Sequence, residues 1–250
     1  MTEVRLLVTR FAPHAQRLTD LLNEQGIFAI AQPLLAVQKT AEFDNAGEVF
    51  AKHYDYIIAV SPNAVDYTDQ ALRGLKWPQT NYLAVGKGTQ SKLKTVTAQD
   101  VVIPEKCFDS EGLLDLPALA DLPGKQILIL RGVGGRELLC GTLTERGAIV
   151  DYYQPYQRVA INLSGDYLIK KWQRKEINGA IISSIELLER LITVVPVAAQ
   201  GWLKSITIYA PSLRITERAK FLGWSDVKMF PGMSDQQIVD YFKEQLKIKR

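Results

Sequence analysis

The sequence has little of the chemistry that metal sites and disulfide frameworks require. Its 250 residues include two cysteines, Cys107 and Cys140, and two histidines, His14 and His53. No pair among them has metal-ligand spacing, so the sequence predicts no metal site. Each cysteine is predicted to be a small buried apolar residue rather than a nucleophile.

Long hydrophobic runs and a large net charge are also missing. No apolar run approaches the roughly 18 residues of a membrane span, so we expect no membrane association. The start, Met1–Arg5, lacks the basic segment and apolar core of a signal peptide, which favours a cytoplasmic protein. The net charge of +3 is too small to indicate nucleic-acid binding. The chain is 47% hydrophobic and 23% charged, as in folded soluble proteins, and its length fits one to two domains.

Short apolar segments rich in Val, Ile and Tyr recur along the chain, with helical patterns between most of them. Runs of four to six apolar residues are typical of strands buried on both faces, and their alternation with helices predicts an α/β fold with parallel sheets. The run 95–103 fits either a continuous strand or a turn followed by a strand. The ten predicted strands are 5–9, 26–31, 55–60, 81–85, 101–104, 126–130, 148–153, 179–182, 205–210 and 227–231.

The chain also contains a weak copy of itself. When Leu7–Gly26 is placed over Leu128–Gly147, six of twenty positions are identical. Later segments align in the same order, so we interpret the sequence as two copies of a five-strand unit. The alternative is that any two halves of this fold class look alike. The identities are Leu7/Leu128, Arg10/Arg131, Leu18/Leu139, Leu22/Leu143, Glu24/Glu145 and Gly26/Gly147.

The residues that follow the strands share one chemistry: they are small, hydroxylated and often basic, with few acidic side chains to oppose them. Ligands of open parallel sheets bind beyond the carboxyl ends of the strands, where glycine and helix N-termini favour anions. The loops therefore predict a polyanionic small-molecule ligand. Taken singly, a serine in such a loop is often only a helix N-cap, and Arg131 can simply hold a turn. The candidate binding residues are Thr9, Arg10, Ser61, Asn63, Gly86, Lys87, Gly88, Thr89, Ser110, Glu111, Gly112, Arg131, Gly132, Gly134, Arg136, Ser183, Ser184, Ser212 and Arg214.

Common cofactor and nucleophile motifs are not present. Glu137 stands where the third glycine of a dinucleotide fingerprint belongs, and Asn81 stands where a Walker A loop ending at Lys87 needs its first glycine. There is no GxSxG segment for a serine nucleophile. The sequence therefore predicts no cofactor, and a dehydrogenase or a zinc-dependent deaminase is disfavoured.

Several motifs, in order along the chain, resemble the bacterial uroporphyrinogen-III synthase family. The central block combines QILILRGVGGRELL at 126–139, LTERGA at 143–148 and YQR at 156–158. This resemblance implies an enzyme that closes the linear tetrapyrrole hydroxymethylbilane to uroporphyrinogen III, with inversion of ring D and loss of water, without cofactor or metal. The supporting segments are LVTR at 7–10, SPNAV at 61–65, AVGKGT at 84–89, DSEGLL at 109–114 and SLR at 212–214.

The resemblance also implies an architecture and a candidate catalytic residue. The family has two flavodoxin-like α/β domains joined by a two-stranded β linker, with substrate between them. Here domain one would be 1–36 and 160–250 and domain two 37–159, with crossings near 33–37 and 155–160. Tyr156 matches the family's linker tyrosine, a possible proton donor to the leaving hydroxyl; a packing role is the alternative. A monomer that receives substrate from hydroxymethylbilane synthase is expected.

A different class of function also fits the twin halves and their loops. A non-catalytic two-lobed binding protein for an anionic metabolite would show the same features. The absence of an export signal and of an attached DNA-binding helix pair disfavours it.

Overall fold

The structure is a computed structural model that describes residues 3–135, 137–232 and 234–247. Its strands are β1 (Arg5–Val8), β2 (Phe28–Ala31), β3 (Leu35–Lys39), β4 (Tyr56–Ala59), β5 (Asn81–Ala84), β6 (Val101–Val102), β7 (Gln126–Gly132), β8 (Ile149–Ala160), β9 (Gly179–Ile181), β10 (Thr207–Ala210) and β11 (Val227–Met229). Its helices are α1 (His14–Glu24), α2 (Ala46–Phe50), α3 (Pro62–Leu72), α4 (Lys87–Thr97), α5 (Ser110–Leu114), α6 (Leu138–Glu145), α7 (Gly165–Arg174), α8 (Ile185–Val194), α9 (Gln200–Ser205), α10 (Leu213–Phe221) and α11 (Asp235–Lys247).

The chain divides into two compact units. Unit 1 consists of residues 1–36 and 159–250, and unit 2 of residues 37–158. The chain passes from one unit to the other within β3 and again within β8, and these two strands are neighbours in one sheet. In the part of the chain that is described, no helix is long and apolar enough to cross a membrane.

Unit 1 is built on a five-stranded sheet in the order β11-β10-β9-β1-β2, and its strand pairs are parallel. Leu6, Leu7 and Val8 of the interior strand β1 are fully buried, because side chains on both faces of the sheet meet a layer of helices. On one face α7 contributes Trp172, which is also fully buried.

Unit 2 is built on a six-stranded sheet in the order β3-β8-β7-β4-β5-β6. The pairs from β8 through β6 are parallel. Residues 127–130 of β7 are at most 1% exposed and face two separate apolar clusters. The fold prediction, α/β with two parallel sheets, is confirmed.

The internal repeat has a structural counterpart. The spatial order β8-β7-β4-β5-β6 in unit 2 matches the order β2-β1-β9-β10-β11 in unit 1, strand for strand. Gly26 and Gly147 both have positive φ angles, at +73° and +90°. Corresponding hydrogen bonds are found at the start of the matching strands β1 and β7. Asn178 Oδ1 accepts from the Arg5 backbone N–H at 2.9 Å, and Asp55 Oδ2 accepts from the Gln126 backbone N–H at 2.8 Å.

All ten predicted strands are present, most of them shorter than predicted. The run 95–103 contains the end of α4 and, after a break, the two-residue strand β6. Two differences bear on the site. The strand β3 was not among the ten, and β8 extends over twelve residues, to Ala160. The prediction that both cysteines are buried is wrong: Cys107 is exposed in the loop before α5, and Cys140 on α6 is partly exposed.

Candidate functional site

A serine–tyrosine pair lies at the carboxyl end of the unit 2 sheet. Ser61 follows β4 and caps α3, since its Oγ accepts a hydrogen bond from the Ala64 backbone N–H at 3.0 Å. The same Oγ lies 2.9 Å from Oη of Tyr156, and either hydroxyl can be the donor. The pair therefore places a phenol against the N-terminus of an eleven-residue helix, whose dipole favours negative charge on nearby oxygen atoms.

The ring of Tyr156 is tightly seated. Tyr156 is 7% exposed, and the ring of Tyr67 lies 5.4 Å away between centroids. Gly132 is its partner on β7, and a Cβ added to Gly132 would lie 2.6 Å from the tyrosine ring. The backbone N–H of Val133 donates to the carbonyl of Tyr156 at 2.9 Å. Glycine at position 132 thus allows the strand β7 to approach the ring of Tyr156 closely.

The prediction that few acidic side chains oppose the loop arginines is wrong for Arg131. Its side chain is 7% exposed, and Nη1 donates to Oε1 of Glu137 at 3.1 Å. Nη2 donates to the carbonyl of Gly134, and Nε reaches the carbonyl of Gly132 at 3.4 Å. A guanidinium removed from water needs such partners because an unpaired buried charge is costly.

Glu137 also accepts a hydrogen bond from Tyr152. The hydroxyl of Tyr152 donates to Oε2 at 2.7 Å, and the guanidinium of Arg131 lies 4.8 Å above the tyrosine ring. The bond from Tyr152 and the charge of Arg131 lower the pKa of Glu137 below its ordinary value. Burial and the bond to Glu137 raise the pKa of Tyr152. At neutral pH the pair is therefore a carboxylate and a neutral phenol.

A pocket of about 230 Å³ in unit 2 is bordered by Arg131 and Tyr152 and by the pair Ser61 and Tyr156. Its lining also includes Ile129 and Gly132 of β7. The predicted residues Ser110 and Gly134 also line it. Arg158, absent from the predicted set, borders the pocket and is exposed.

The other predicted residues of unit 2 lie at neighbouring helix starts. Gly86 is the N-cap of α4, Lys87 and Gly88 are exposed in its first turn, and Thr89 is buried. Asn63 is partly exposed in the first turn of α3. Asp109, Ser110, Glu111 and Gly112 form the start of α5, where Oδ1 of Asp109 accepts from the Gly112 N–H at 2.9 Å. Gly112 is buried, and a Cβ there would lie 1.9 Å from the Cys107 carbonyl oxygen.

In unit 1, two predicted residues follow the strand β1, and the second of them, Arg10, forms an ion pair. Thr9 is fully buried and its hydroxyl donates to the carbonyl of Ile181 at 2.8 Å. Arg10 Nη1 lies 2.6 Å from Oδ1 of Asp235, so the prediction of few opposing carboxylates is wrong here too. Arg17 donates to Oδ2 of the same carboxylate at 2.6 Å. Burial lowers the pKa of Arg10, and its ion pair with Asp235 opposes that shift.

The remaining unit 1 candidates follow β9 and β10. Ser183 is partly exposed, and Ser184 caps α8 by accepting from the Leu187 N–H at 3.2 Å. Ser212 is the N-cap residue of α10 without a side-chain capping bond, and Arg214 is exposed in its first turn. The predicted residue Arg136 lies outside the described residues.

We predict a measurable stability cost for losing the Ser184 cap. Ser184→Ala should lower the free energy of unfolding by about 1 kcal/mol, because the Leu187 N–H loses its acceptor. Urea unfolding followed by circular dichroism measures this. Ser184→Asp, which retains a capping oxygen, should stay within about 0.5 kcal/mol of the parent protein. Equal stability of the alanine variant and the parent would contradict the capping role.

Comparison with known proteins shows what this arrangement is related to. The family model described as Uroporphyrinogen-III synthase HemD matches residues 16–236. The uroporphyrinogen-III synthase of Escherichia coli strain K12 is 35% identical over 230 residues, covering 90% of this chain and 94% of that protein. The chain belongs to the uroporphyrinogen-III synthase family. The Salmonella typhimurium member is 34% identical over the same shares of the two chains.

Solved structures of the family share the fold. A mutant uroporphyrinogen III synthase from the extremely thermophilic bacterium Thermus thermophilus superposes with a TM-score of 0.65 at 18% identity, covering 98% of this chain and 99% of that one. The Helicobacter pylori enzyme gives 0.64 at 13% identity, covering 97% and 99%. At these identities the likeness shows the fold alone. The family resemblance stated from the motifs is confirmed by the family model and the curated relatives.

Proposed function

We propose that this chain is a uroporphyrinogen-III synthase that closes hydroxymethylbilane to uroporphyrinogen III, inverting ring D and releasing the terminal hydroxyl as water. The observation that carries the proposal is the 35% identity to a uroporphyrinogen-III synthase over 94% of that protein's length. The polar groups at the strand ends, given above, fit a substrate with eight carboxylates.

Tyr156 is the proposed proton donor to the leaving hydroxyl. Tyr156 borders the pocket, and its Oη lies 2.9 Å from Oγ of Ser61. Ser61 uses one lone pair to cap α3, and its own hydroxyl hydrogen is free to turn toward Oη. As Tyr156 gives up its proton, that bond and the helix dipole would stabilise the phenolate. Ser61 is therefore proposed as a positioning residue for Tyr156.

Catalysis also requires control over which position of ring D is attacked. Hydroxymethylbilane can close without help to the unrotated type I isomer, so the enzyme must hold the chain of rings in the geometry that favours the rotated product. Carboxylate binding by the loops at the sheet ends is the proposed means. In unit 2 these are the starts of α4 and α5 and the glycine loop 132–135; in unit 1 they are the loops after β1, β9 and β10.

The proposal extends to cellular context. A cytoplasmic monomer that receives its substrate from hydroxymethylbilane synthase fits the instability of that substrate. We also propose that the protein has two domains: the first consists of residues 1–36 and 160–250, and the second of residues 37–159.

The product isomer tests the proposal directly. Freshly made hydroxymethylbilane is mixed with the protein, and the products are oxidised and separated by isomer. We expect type III uroporphyrinogen as the main product. Type I alone, formed at the uncatalysed rate, would overturn the proposed function and favour a non-catalytic binding protein.

A further inference from the structure

Unit 2 contains a carboxylate held by two side-chain donors. Arg131 Nη1 donates to one oxygen of Glu137 at 3.1 Å, and the Tyr152 hydroxyl donates to the other at 2.7 Å. One donor to each oxygen, with one donor positively charged, is a strong mode of carboxylate recognition in proteins. Both donors line the 230 Å³ pocket that also carries Tyr156.

The carboxylate is far more exposed than the guanidinium that binds it. The Glu137 side chain is 70% exposed, whereas that of Arg131 is 7% exposed. An ion pair with so exposed a partner contributes little, because water stabilises the free carboxylate nearly as well. Arg131, by contrast, is removed from water, so an anionic partner contributes more to Arg131 than to Glu137.

Both donors have contacts other than those with Glu137. Arg131 is anchored to the glycine loop through the carbonyls of Gly134 and Gly132. The backbone of Tyr152 is held in the strand β8, where it pairs with Ile129 of β7, and its ring contacts the guanidinium of Arg131. Departure of the Glu137 side chain would therefore leave a preformed pair of donors facing the pocket.

We propose that Arg131 and Tyr152 form a carboxylate subsite of the substrate, and that Glu137 occupies this subsite until a substrate carboxylate displaces it. The inference rests on the proposed function, since it takes the polycarboxylate substrate from there. It assigns roles to Glu137 and Tyr152, which were not among the predicted site residues. Glu137 is thus a competitor built into the chain.

The direction in which one substitution changes ligand affinity tests this subsite. Glu137→Gln keeps the size of the side chain but removes its charge, so it competes less well for Arg131. We expect the KM for hydroxymethylbilane, and the dissociation constant for uroporphyrinogen III measured by anaerobic calorimetry, to fall about twofold to fivefold. An unchanged or higher dissociation constant would overturn the proposal, because a neutral amide is easier to displace from Arg131 than a carboxylate is.

Two further variants control the experiment. Glu145→Gln makes the same charge change at the other, exposed end of α6 and should leave the dissociation constant unchanged. In the Glu137→Gln background a ligand carboxylate has only a neutral amide to displace from the hydroxyl of Tyr152. Adding Tyr152→Phe there should raise the dissociation constant about tenfold, as expected for a hydrogen bond to a charged group. No rise would remove Tyr152 from the subsite.

Displacement of the Glu137 side chain can also be measured without catalysis. In the free protein the pKa of Glu137 lies below its ordinary value. Carbon-13 NMR of labelled glutamate carboxyls, with saturating uroporphyrinogen III, should show that pKa rising toward the ordinary value as Glu137 moves into water. A pKa that stays low would overturn the inference. If the parent protein makes no type III isomer, the proposed function fails; if it does and Glu137→Gln binds no more tightly, only the subsite fails.

Discussion

Tyr156→Phe lowers the rate of type III formation by about 100-fold or more, if Tyr156 gives its proton to the leaving hydroxyl. General acid catalysis by a positioned side chain contributes roughly 10²–10⁴-fold. Phenylalanine keeps the ring against Tyr67 and removes only Oη, which bonds to Ser61 at 2.9 Å. The measurement is the initial rate of type III formation, with isomers separated after oxidation. Type I should accumulate instead, because uncatalysed closure gives that isomer.

Tyr67→Phe is the matched control. Tyr67 packs on the Tyr156 ring, but its hydroxyl donates to the Val37 carbonyl at 3.3 Å. This variant also loses a phenol from the same cluster, and its rate should stay within about threefold of the parent, because a long neutral hydrogen bond contributes modestly. If both variants lose activity equally, the loss is caused by altered packing of the two rings and not by loss of a proton donor. If Tyr156→Phe retains the parent rate, Tyr156 is not the proton donor.

Gly132→Ala is expected to impair both stability and catalysis. The new Cβ would lie 2.6 Å from the ring of Tyr156, so the ring or the strand must move. Overpacking of this kind costs about 1–3 kcal/mol. We expect a lower midpoint in thermal unfolding and a loss of type III activity comparable with that of Tyr156→Phe, since Oη is no longer held at Ser61. Differential scanning calorimetry and the isomer assay measure the two effects.

A double-mutant cycle assigns the cause. In a Tyr156→Ala background the ring is gone, so adding Gly132→Ala should cost less than about 0.5 kcal/mol in unfolding free energy. The two single costs should therefore fail to add by about 1 kcal/mol or more, as for residues in contact. Additive costs would show that position 132 is sensitive for a reason other than the tyrosine ring.

The fold could be predicted far into its detail because its signals are local. Buried parallel strands appear as short apolar runs, and the repeat aligns Leu18 with Leu139 and Leu22 with Leu143, all four of which are buried. The apolar runs did not predict the strand β3, which only the resemblance implied as part of a linker, because it is short and partly polar, with Gln38 and Lys39 exposed at its end. Such a strand is formed by pairing with β8, which no local pattern shows.

The candidate site was only partly predictable, for a related reason. Arg131 and Tyr156 lie in motifs, but the role of Glu137 depends on Tyr152, which comes from another strand. An irregularity between Leu130 and Gly132 sets which β8 residues face the end of β7. Strand register and a bulge are properties of the assembled sheet, so sequence spacing alone left Glu137 as a mere departure from a glycine motif.

The order of strands in unit 1 has a consequence for synthesis on the ribosome. The interior strand β1 pairs with the central strand β9, whose first residue, Gly179, follows it by more than 170 positions. All of unit 2 lies between these two strands in the sequence. Unit 2 can therefore fold from a continuous nascent segment while β1, α1 and β2 still lack their partner. The strand β1 leaves the ribosome before unit 2 but is covered after it, so the apolar side chains of β1 stay accessible to chaperones until β9 has been made.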